Sequence, residues 1–144
     1  MAKLFVEKSI EIHAPASKVW EVLTNPDLTK EWIKEFWPDF GILESDWKSG
    51  SPMLWKVADG KIGAEGEVSA VKPYTMLRFS FKVNDPNTSK QEELTYRLEE
   101  RDGRTGLSIS MGDFGDTPEH ELCYPGAAAG WEKALSKIKE LAEK

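Results

Sequence analysis

The stretch PGAAAGWEKALSKIKELAEK, residues 125–144, decides the fold because it is the longest helical pattern in the chain. Its apolar side chains recur every three or four residues and form one stripe, while charged side chains cover the opposite face. At about 1.5 Å per residue this helix is roughly 28 Å long, which is enough to cross a whole β-sheet. The stripe comprises Ala127, Ala128, Trp131, Ala134, Leu135, Ile138, Leu141 and Ala142.

The beginning of this stretch, residues 125–130, has almost no side-chain volume. Each of its two glycines costs a helix about 1 kcal/mol relative to alanine, so the segment is not selected for helix stability. Two interpretations are open. Either the small residues let the helix approach the sheet closely, or they leave space beneath the helix, which Trp131 then closes. The second interpretation predicts a pocket with its mouth beside Tyr124 and Ala127.

Upstream of this helix, the pattern indicates a strand, two short helices and about six strands. Residues 4–12 alternate apolar and polar side chains, which predicts a strand with one buried side. Pro15 suits the first turn of a helix, and Asn25-Pro26 ends that helix. From about residue 40 to 112, short runs with one apolar face are separated by turn residues, as in an antiparallel meander. We therefore predict an α+β helix-grip fold, with a curved antiparallel sheet of about seven strands wrapped around the C-terminal helix, in a single domain over residues 1–144.

The composition is ordinary for a globular protein, with 40% apolar and 31% charged residues. A net charge of -6 disfavours nucleic acid as a partner, because binding to its phosphates requires a basic surface. The lone Cys123 fits a reducing compartment, because it cannot form an internal disulfide. No apolar run approaches the roughly 18 residues of a membrane-spanning helix, and the first residues do not form a signal peptide. We expect a cytoplasmic protein without a membrane span.

Several motifs together resemble a known family. They are IEIHAPASKVWEVLTNPDLTKEWI at 10–33, GEVSAVKPYTMLRFSF at 66–81, LTYRLEE at 94–100 and GWEKALSKIKELAE at 130–143. In order and spacing they resemble the START-like (SRPBCC) superfamily and, within it, the activator of Hsp90 ATPase homologue group. The resemblance implies a seven-stranded sheet around a C-terminal helix, with a hydrophobic cavity between them. It does not select an activity, because members bind lipids, hormones or polyketides, act as cyclases, or bind a chaperone.

Aromatic side chains are the candidate lining of such a cavity. Pockets for apolar ligands are lined mainly by hydrophobic and aromatic side chains, whereas ordinary core packing is the alternative for each residue. Buried Trp and Tyr also need partners for their N–H and O–H groups, which a pocket supplies through water or ligand. The candidate residues are Trp32, Phe36, Trp37, Trp55, Phe79, Tyr96, Tyr124, Ala127 and Trp131.

Other reactive side chains form no comparable pattern. The segment from Asp113 to Cys123 mixes carboxylates, His120 and a thiol without the spacing of a metal site, and Thr117-Pro118-Glu119 is typical of a helix N-terminus. We therefore predict no metal, no cofactor and no catalytic pair. Five strand residues would offer an acid or a base if they faced the cavity, although most registers direct them to solvent: Glu44, Glu65, Glu67, Arg78 and Arg97.

These observations predict a non-catalytic START-like domain that binds a small apolar or amphipathic molecule. Two alternatives are open: an activator of an Hsp90 ATPase, with a chaperone as partner, and a cyclase- or dehydratase-type enzyme using the same cavity. Eukaryotic activators carry an additional N-terminal domain, for which we expect 144 residues to be too few. We expect a monomer or a weak homodimer, with Trp37 and Phe40 near a sheet edge as candidate contact residues.

Overall fold

The structure is a computed structural model that describes residues 4–35, 37–83, 92–112, 114, 122 and 124–144. Over these residues the chain forms seven strands and three helices. In chain order they are β1 (Val6–Ile12), α1 (Ala16–Thr24), α2 (Pro26–Ile33), β2 (Phe40–Ser45), β3 (Pro52–Val57), β4 (Ile62–Lys72), β5 (Met76–Val83), β6 (Glu92–Arg101), β7 (Arg104–Gly112) and α3 (Tyr124–Ala142).

All seven strands belong to one antiparallel sheet, in the order β1-β7-β6-β5-β4-β3-β2. From β2 to β7 each strand pairs with the next one in the chain, and β1 pairs with β7. The ladders that join β2, β3, β4 and β5 contain register shifts, and such bulges bend a strand and increase its twist. The predicted helix-grip fold, with its element order of strand, two helices, six strands and helix, is confirmed.

Helix α3 buries its apolar stripe against β1, α1 and α2. Its C-terminal half is also fixed by polar contacts, in which Lys139 Nζ donates to the carbonyl oxygen of Glu11 at 3.1 Å and the backbone N–H of His13 donates to Glu143 Oε2 at 2.8 Å. Exposed contacts of this kind contribute little, so burial of the stripe is the main stabilising term. The buried residues of α3 are Trp131, Ala134, Leu135, Ile138, Leu141 and Ala142. Among the helices described, none has the length and apolarity to span a membrane.

Helix α1 receives its N-terminal cap from a distant strand. It begins at Ala16, and Pro15 before it provides no side-chain hydrogen bond to the first turn. The first N–H groups of a helix have no partner within the helix and need one from elsewhere. Glu100 of β6 supplies it, because its Oε1 accepts from the Ala16 N–H at 2.6 Å. The carboxylate also lies at the positive end of the helix dipole, which favours its charge.

We predict that Glu100→Ala lowers the free energy of unfolding by about 1 kcal/mol, because a cap is typically worth that much. Urea denaturation followed by circular dichroism measures the change. Glu99→Ala is the matched control, since among the described residues the Glu99 carboxylate pairs with the exposed Arg101, at 3.3 Å, and caps no helix. That variant should stay within about 0.5 kcal/mol of the wild type. An equal loss in both variants would show that the Glu100 contact is not a stabilising cap.

Candidate functional site

A pocket of about 190 Å³ lies between the first two turns of α3 and the sheet. Strands β3, β5, β6 and β7 each contribute one residue to it, and α3 contributes the rest. Its buried residues form the floor, while Phe81 and the small residues of α3 are partly or fully exposed and form the rim. We call this site the apolar pocket, and its lining residues are Trp55, Phe81, Leu94, Met111, Gly126, Ala127, Gly130 and Trp131.

Trp55 stands at the centre of an aromatic cluster beside the apolar pocket. Its ring centroid lies 5.0 Å from that of Phe81 and 5.9 Å from that of Phe40, both in edge-on geometry. The Trp37 ring stacks on it at 6.2 Å with an interplanar angle of 17°. Phe79 completes the surround, with its centroid at 6.5 Å. These contacts fix the orientation of the Trp55 indole.

The indole N–H of Trp55 has no hydrogen-bond partner. Trp55 is only 2% exposed, so water does not reach this group freely. Over the part of the chain that the structure describes, Trp55 Nε1 is the one buried side-chain nitrogen or oxygen without a hydrogen-bond partner. Leaving a buried donor unpaired costs about 1–3 kcal/mol. Because of this cost in folding free energy, good packing alone does not explain why a tryptophan is buried at position 55.

Trp131 forms the opposite side of the apolar pocket. Its ring centroid lies 5.9 Å from that of Tyr96 and 6.0 Å from that of Trp32. Its Nε1 donates to Met111 Sδ at 3.3 Å, and a thioether sulfur is a weak acceptor. Trp131 therefore joins α3 to β6 and to α2, and closes the pocket at its inner end.

The glycine at the start of α3 lies over open space. A Cβ built on Gly126 meets no atom within 4 Å. The contrast is Gly66 of β4, where a Cβ would overlap the carbonyl oxygen of Ser80 on β5. Close approach to the sheet therefore does not account for Gly126, which is an exposed residue beside open space.

Three of the predicted cavity residues line the apolar pocket: Trp55, Ala127 and Trp131. Two others, Phe79 and Tyr96, lie behind it in the core and are at most 2% exposed. Burial raises the pKa of the Tyr96 phenol far above its usual range, so the hydroxyl stays protonated.

The remaining predicted residues lie away from the apolar pocket or cannot be placed. Trp32 is fully buried, and its Nε1 donates to the carbonyl oxygen of Val22 at 2.9 Å. Trp37 is half-buried against Trp55, and Tyr124 is half-buried with its ring 6.2 Å from that of Phe114. Phe36 is outside the described residues.

The candidate list did not include Phe81, Leu94 and Met111, which also line the apolar pocket. Leu94 and Met111 are directly paired across β6 and β7. The period-two pattern places each of the three residues on the inward face of its strand. That pattern does not tell which inward residues lie under the small-residue turns of α3. The sequence therefore predicts that these residues face inward but not that they line the pocket.

The candidate acids and bases lie on the outer face of the sheet. Glu44, Glu65, Glu67 and Arg97 are exposed, and Arg78 Nε donates to Thr95 Oγ1 at 3.2 Å. The described residues contain no group of three or more His, Cys, Asp or Glu side chains placed to hold a metal. The candidate metal residues between positions 113 and 123 fall outside the described residues.

One proposed surface contact is wrong. Phe40, considered from the sequence as an exposed dimer contact, is only 1% exposed, because it packs against Trp37 and Trp55. Phe40 therefore belongs to the aromatic cluster.

Other concavities lie on the polar exterior. One of about 350 Å³ crosses the outer face of β1, β7 and β6 and includes Glu7, Arg97 and Ser108. Another of about 690 Å³ includes Glu11, Asp102 and other charged residues. Sites for small molecules are mostly apolar and enclosed, with only a few polar groups. The apolar pocket fits that description better, although it is smaller.

The sequence profile of the family described as Activator of Hsp90 ATPase homolog 1-like protein matches residues 13–143. No curated protein matches the chain in sequence. Among solved structures, protein MLL2253 from Mesorhizobium loti is similar with a TM-score of 0.77 at 25% identity, with 95% of each chain covered.

Two further structures share the fold. The Aha1 dimer from Colwellia psychrerythraea has a TM-score of 0.72 at 18% identity, covering 97% of this chain and 96% of that one. DynU16, from the dynemicin biosynthetic locus, has a TM-score of 0.78 at 20% identity; 99% of this chain is covered, but only 48% of DynU16. Since the profile spans most of the sequence, the resemblance is confirmed, and the chain belongs to the family of Activator of Hsp90 ATPase homolog 1-like proteins.

Proposed function

We propose that this protein is a START-like binding domain that holds a small apolar molecule in the apolar pocket. The observation that carries the proposal is the pocket itself, about 190 Å³ in volume and lined by apolar side chains and glycine. An engineered cavity of about 150 Å³ with a similar aliphatic and aromatic lining binds benzene. A ligand with one or two rings therefore has a suitable size.

The expected affinity is modest. A single-ring ligand buries on the order of 200 Å² of surface, and at about 25 cal/mol per Å² this contributes roughly 5 kcal/mol. Such a free energy corresponds to a dissociation constant of about 0.1–1 mM. A screen for ligands therefore needs millimolar concentrations of soluble probes such as indole and toluene.

The lining favours binding over catalysis. General acid–base catalysis requires a titratable group within hydrogen-bond reach of the reacting atom. The described residues that line the apolar pocket include no acid, no base and no hydroxyl group. Tyr96, behind the pocket, is held as the neutral phenol by its burial. The cyclase or dehydratase alternative therefore has no support from these residues.

Family membership supports a second candidate function, the stimulation of an Hsp90-type ATPase. In this candidate the partner is a protein, and the pocket is not required for the activity. The two candidates therefore differ in their response to substitutions that fill the pocket. A small-molecule binding protein loses its function, whereas a chaperone activator retains it.

We predict that indole or toluene at about ten times its dissociation constant raises the melting temperature of the wild type by roughly 2–5 °C. Ala127→Leu should abolish this shift, because the larger side chain occupies the apolar pocket. The matched control is Ala129→Leu, an exposed position of the same helix that does not line the pocket. Thermal unfolding followed by circular dichroism measures all three proteins. A shift that survives Ala127→Leu, or is lost equally in Ala129→Leu, would place the ligand elsewhere.

We predict opposite effects for two glycine substitutions. Gly126→Ala should raise the free energy of unfolding by up to about 1 kcal/mol, since alanine is the better helix former and its Cβ meets open space. Gly66→Ala should lower it by about 1–3 kcal/mol, because the Cβ overlaps the Ser80 carbonyl. Chemical denaturation of both variants is the measurement. A destabilised Gly126→Ala would mean that no free space adjoins this residue.

For the second candidate, we predict that the purified protein raises the ATPase rate of an Hsp90-type chaperone from the same cell, measured by phosphate release. Ala127→Leu should stimulate the chaperone as well as the wild type does, since that activity does not require an open pocket. An unchanged ATPase rate over a range of protein concentrations would dismiss this candidate.

A further inference from the structure

We infer that the ligand is an amphipathic molecule that inserts only an apolar end of about seven or eight carbon atoms into the apolar pocket, while its polar part stays in water at the rim. The inference rests on the proposed function and specifies its ligand class. It starts from two properties of the site, which are its volume of about 190 Å³ and the lack of an accessible polar group on its described lining side chains.

The volume of the apolar pocket limits the part of the ligand that can be buried. A cavity of about 150 Å³ accommodates benzene, which has six carbon atoms. In proportion, a volume of about 190 Å³ holds about seven or eight carbon atoms. Pockets that enclose a whole ligand are usually larger, at about 300–1,000 Å³. The apolar pocket therefore has room for one end of such a ligand rather than for all of it.

The described side chains of the lining offer no accessible partner to a polar group of the ligand. They are hydrocarbon, thioether or indole. Of the two indole nitrogens, Trp55 Nε1 has less than 1 Å² of accessible surface, and Trp131 Nε1 already donates to Met111 Sδ at 3.3 Å. A hydroxyl, carbonyl or charged group that entered would lose its hydration without gaining a hydrogen bond from these side chains, which is unfavourable. The polar part of a ligand is therefore excluded from the pocket.

The rim of the pocket gives the polar part a route into water. The floor residues are buried, whereas Phe81 and Ala127 on the rim are partly exposed and Gly126 is exposed. A Cβ on Gly126 would meet no atom within 4 Å, so this side of the helix borders open space. A ligand that fills the pocket can continue past Gly126 and keep its polar part hydrated. A metabolite that reaches the protein through water carries such a part, so an amphipathic molecule meets both demands.

The first test is a chain-length series on the wild type. Straight-chain carboxylates with four, six, eight, ten and twelve carbon atoms are titrated by NMR, at concentrations below those at which they form micelles. Each methylene group that enters the pocket should tighten binding about fourfold. We expect this gain up to about eight carbon atoms and a clear break in the series beyond that length, because further methylene groups stay outside.

The second test asks where the polar part lies. Octanoate and octyltrimethylammonium have tails of similar length and opposite charges, and we expect their dissociation constants to differ by less than about tenfold in about 0.15 M salt, where charges in water are screened. Octyl glucoside and octyl maltoside differ by one sugar ring, and the same limit applies to them. A polar part inside the protein would instead be sensitive to charge and to bulk.

Two further measurements assign the tail to the apolar pocket. Toluene should compete with octanoate, because both occupy the same space. Ala127→Leu should remove the dependence on chain length, whereas Ala129→Leu, at an exposed position that does not line the pocket, should keep it. The competition and the chain-length series use only the wild type, so they decide the question even if Ala127→Leu does not fold.

The outcomes separate this inference from the proposed function. A series without a break through twelve carbon atoms, or a dissociation constant that changes tenfold or more with the charge or size of the polar part, would overturn the inference. So would binding of octanoate without competition from toluene. If indole and toluene bind but none of the alkyl chains does, the inference is wrong while the proposed function stands. If neither indole, toluene nor any alkyl chain binds, the proposed function itself fails.

Discussion

The contact of Trp131 with Tyr96 and Trp32 is the interaction on which the interior of this protein depends. It joins the long C-terminal helix to the sheet and to the second short helix at a single point. After Trp131, the stripe of α3 carries Leu135 and Ile138, which are buried and fill the space against β1. Between Pro125 and Trp131, the helix carries only glycine and alanine. One tryptophan therefore divides α3 into a packed half and a half that adjoins the apolar pocket.

The packing deficit at the start of α3 has a cost that the rest of the fold must offset. An enclosed empty cavity costs about 24 cal/mol per Å³, so about 190 Å³ corresponds to at most roughly 4–5 kcal/mol. The two glycines add to this, since alanine favours a helix by about 1 kcal/mol over each. Natural proteins usually concentrate such departures from good packing at functional sites. The packing deficit adjoins the apolar pocket, and Trp55, whose N–H is unpaired, is one of the residues that line it, which is the physical basis for treating the pocket as a site.

Most of the fold was predictable from local patterns, and the exceptions have identifiable causes. Strand alternation and the residues that end helices indicated β1, both short helices, α3 and the strands from β3 onward. No alternation identified β2, because a bulge between Phe40 and Ile42 places Phe40 and Leu43 on the same buried face three residues apart. The cap of α1 by Glu100 could not be predicted from local patterns either, because Glu100 and Ala16 are 84 positions apart in the sequence.

The sequence predicted the site only as a set of inward-facing aromatic rings. It does not show which indole N–H finds a hydrogen-bond acceptor in the fold. Trp32 finds one in the carbonyl of Val22, which stays free at the end of α1 because Pro26, four residues later, has no N–H to donate to it. Trp55 lies in the middle of β3, between two strands whose ladders engage the neighbouring backbone carbonyls. A tryptophan at the end of a helix can thus be satisfied by the backbone, whereas one in a central strand depends on a neighbouring side chain. Around Trp55 the described side chains are aromatic and aliphatic, and its indole N–H is left without a partner.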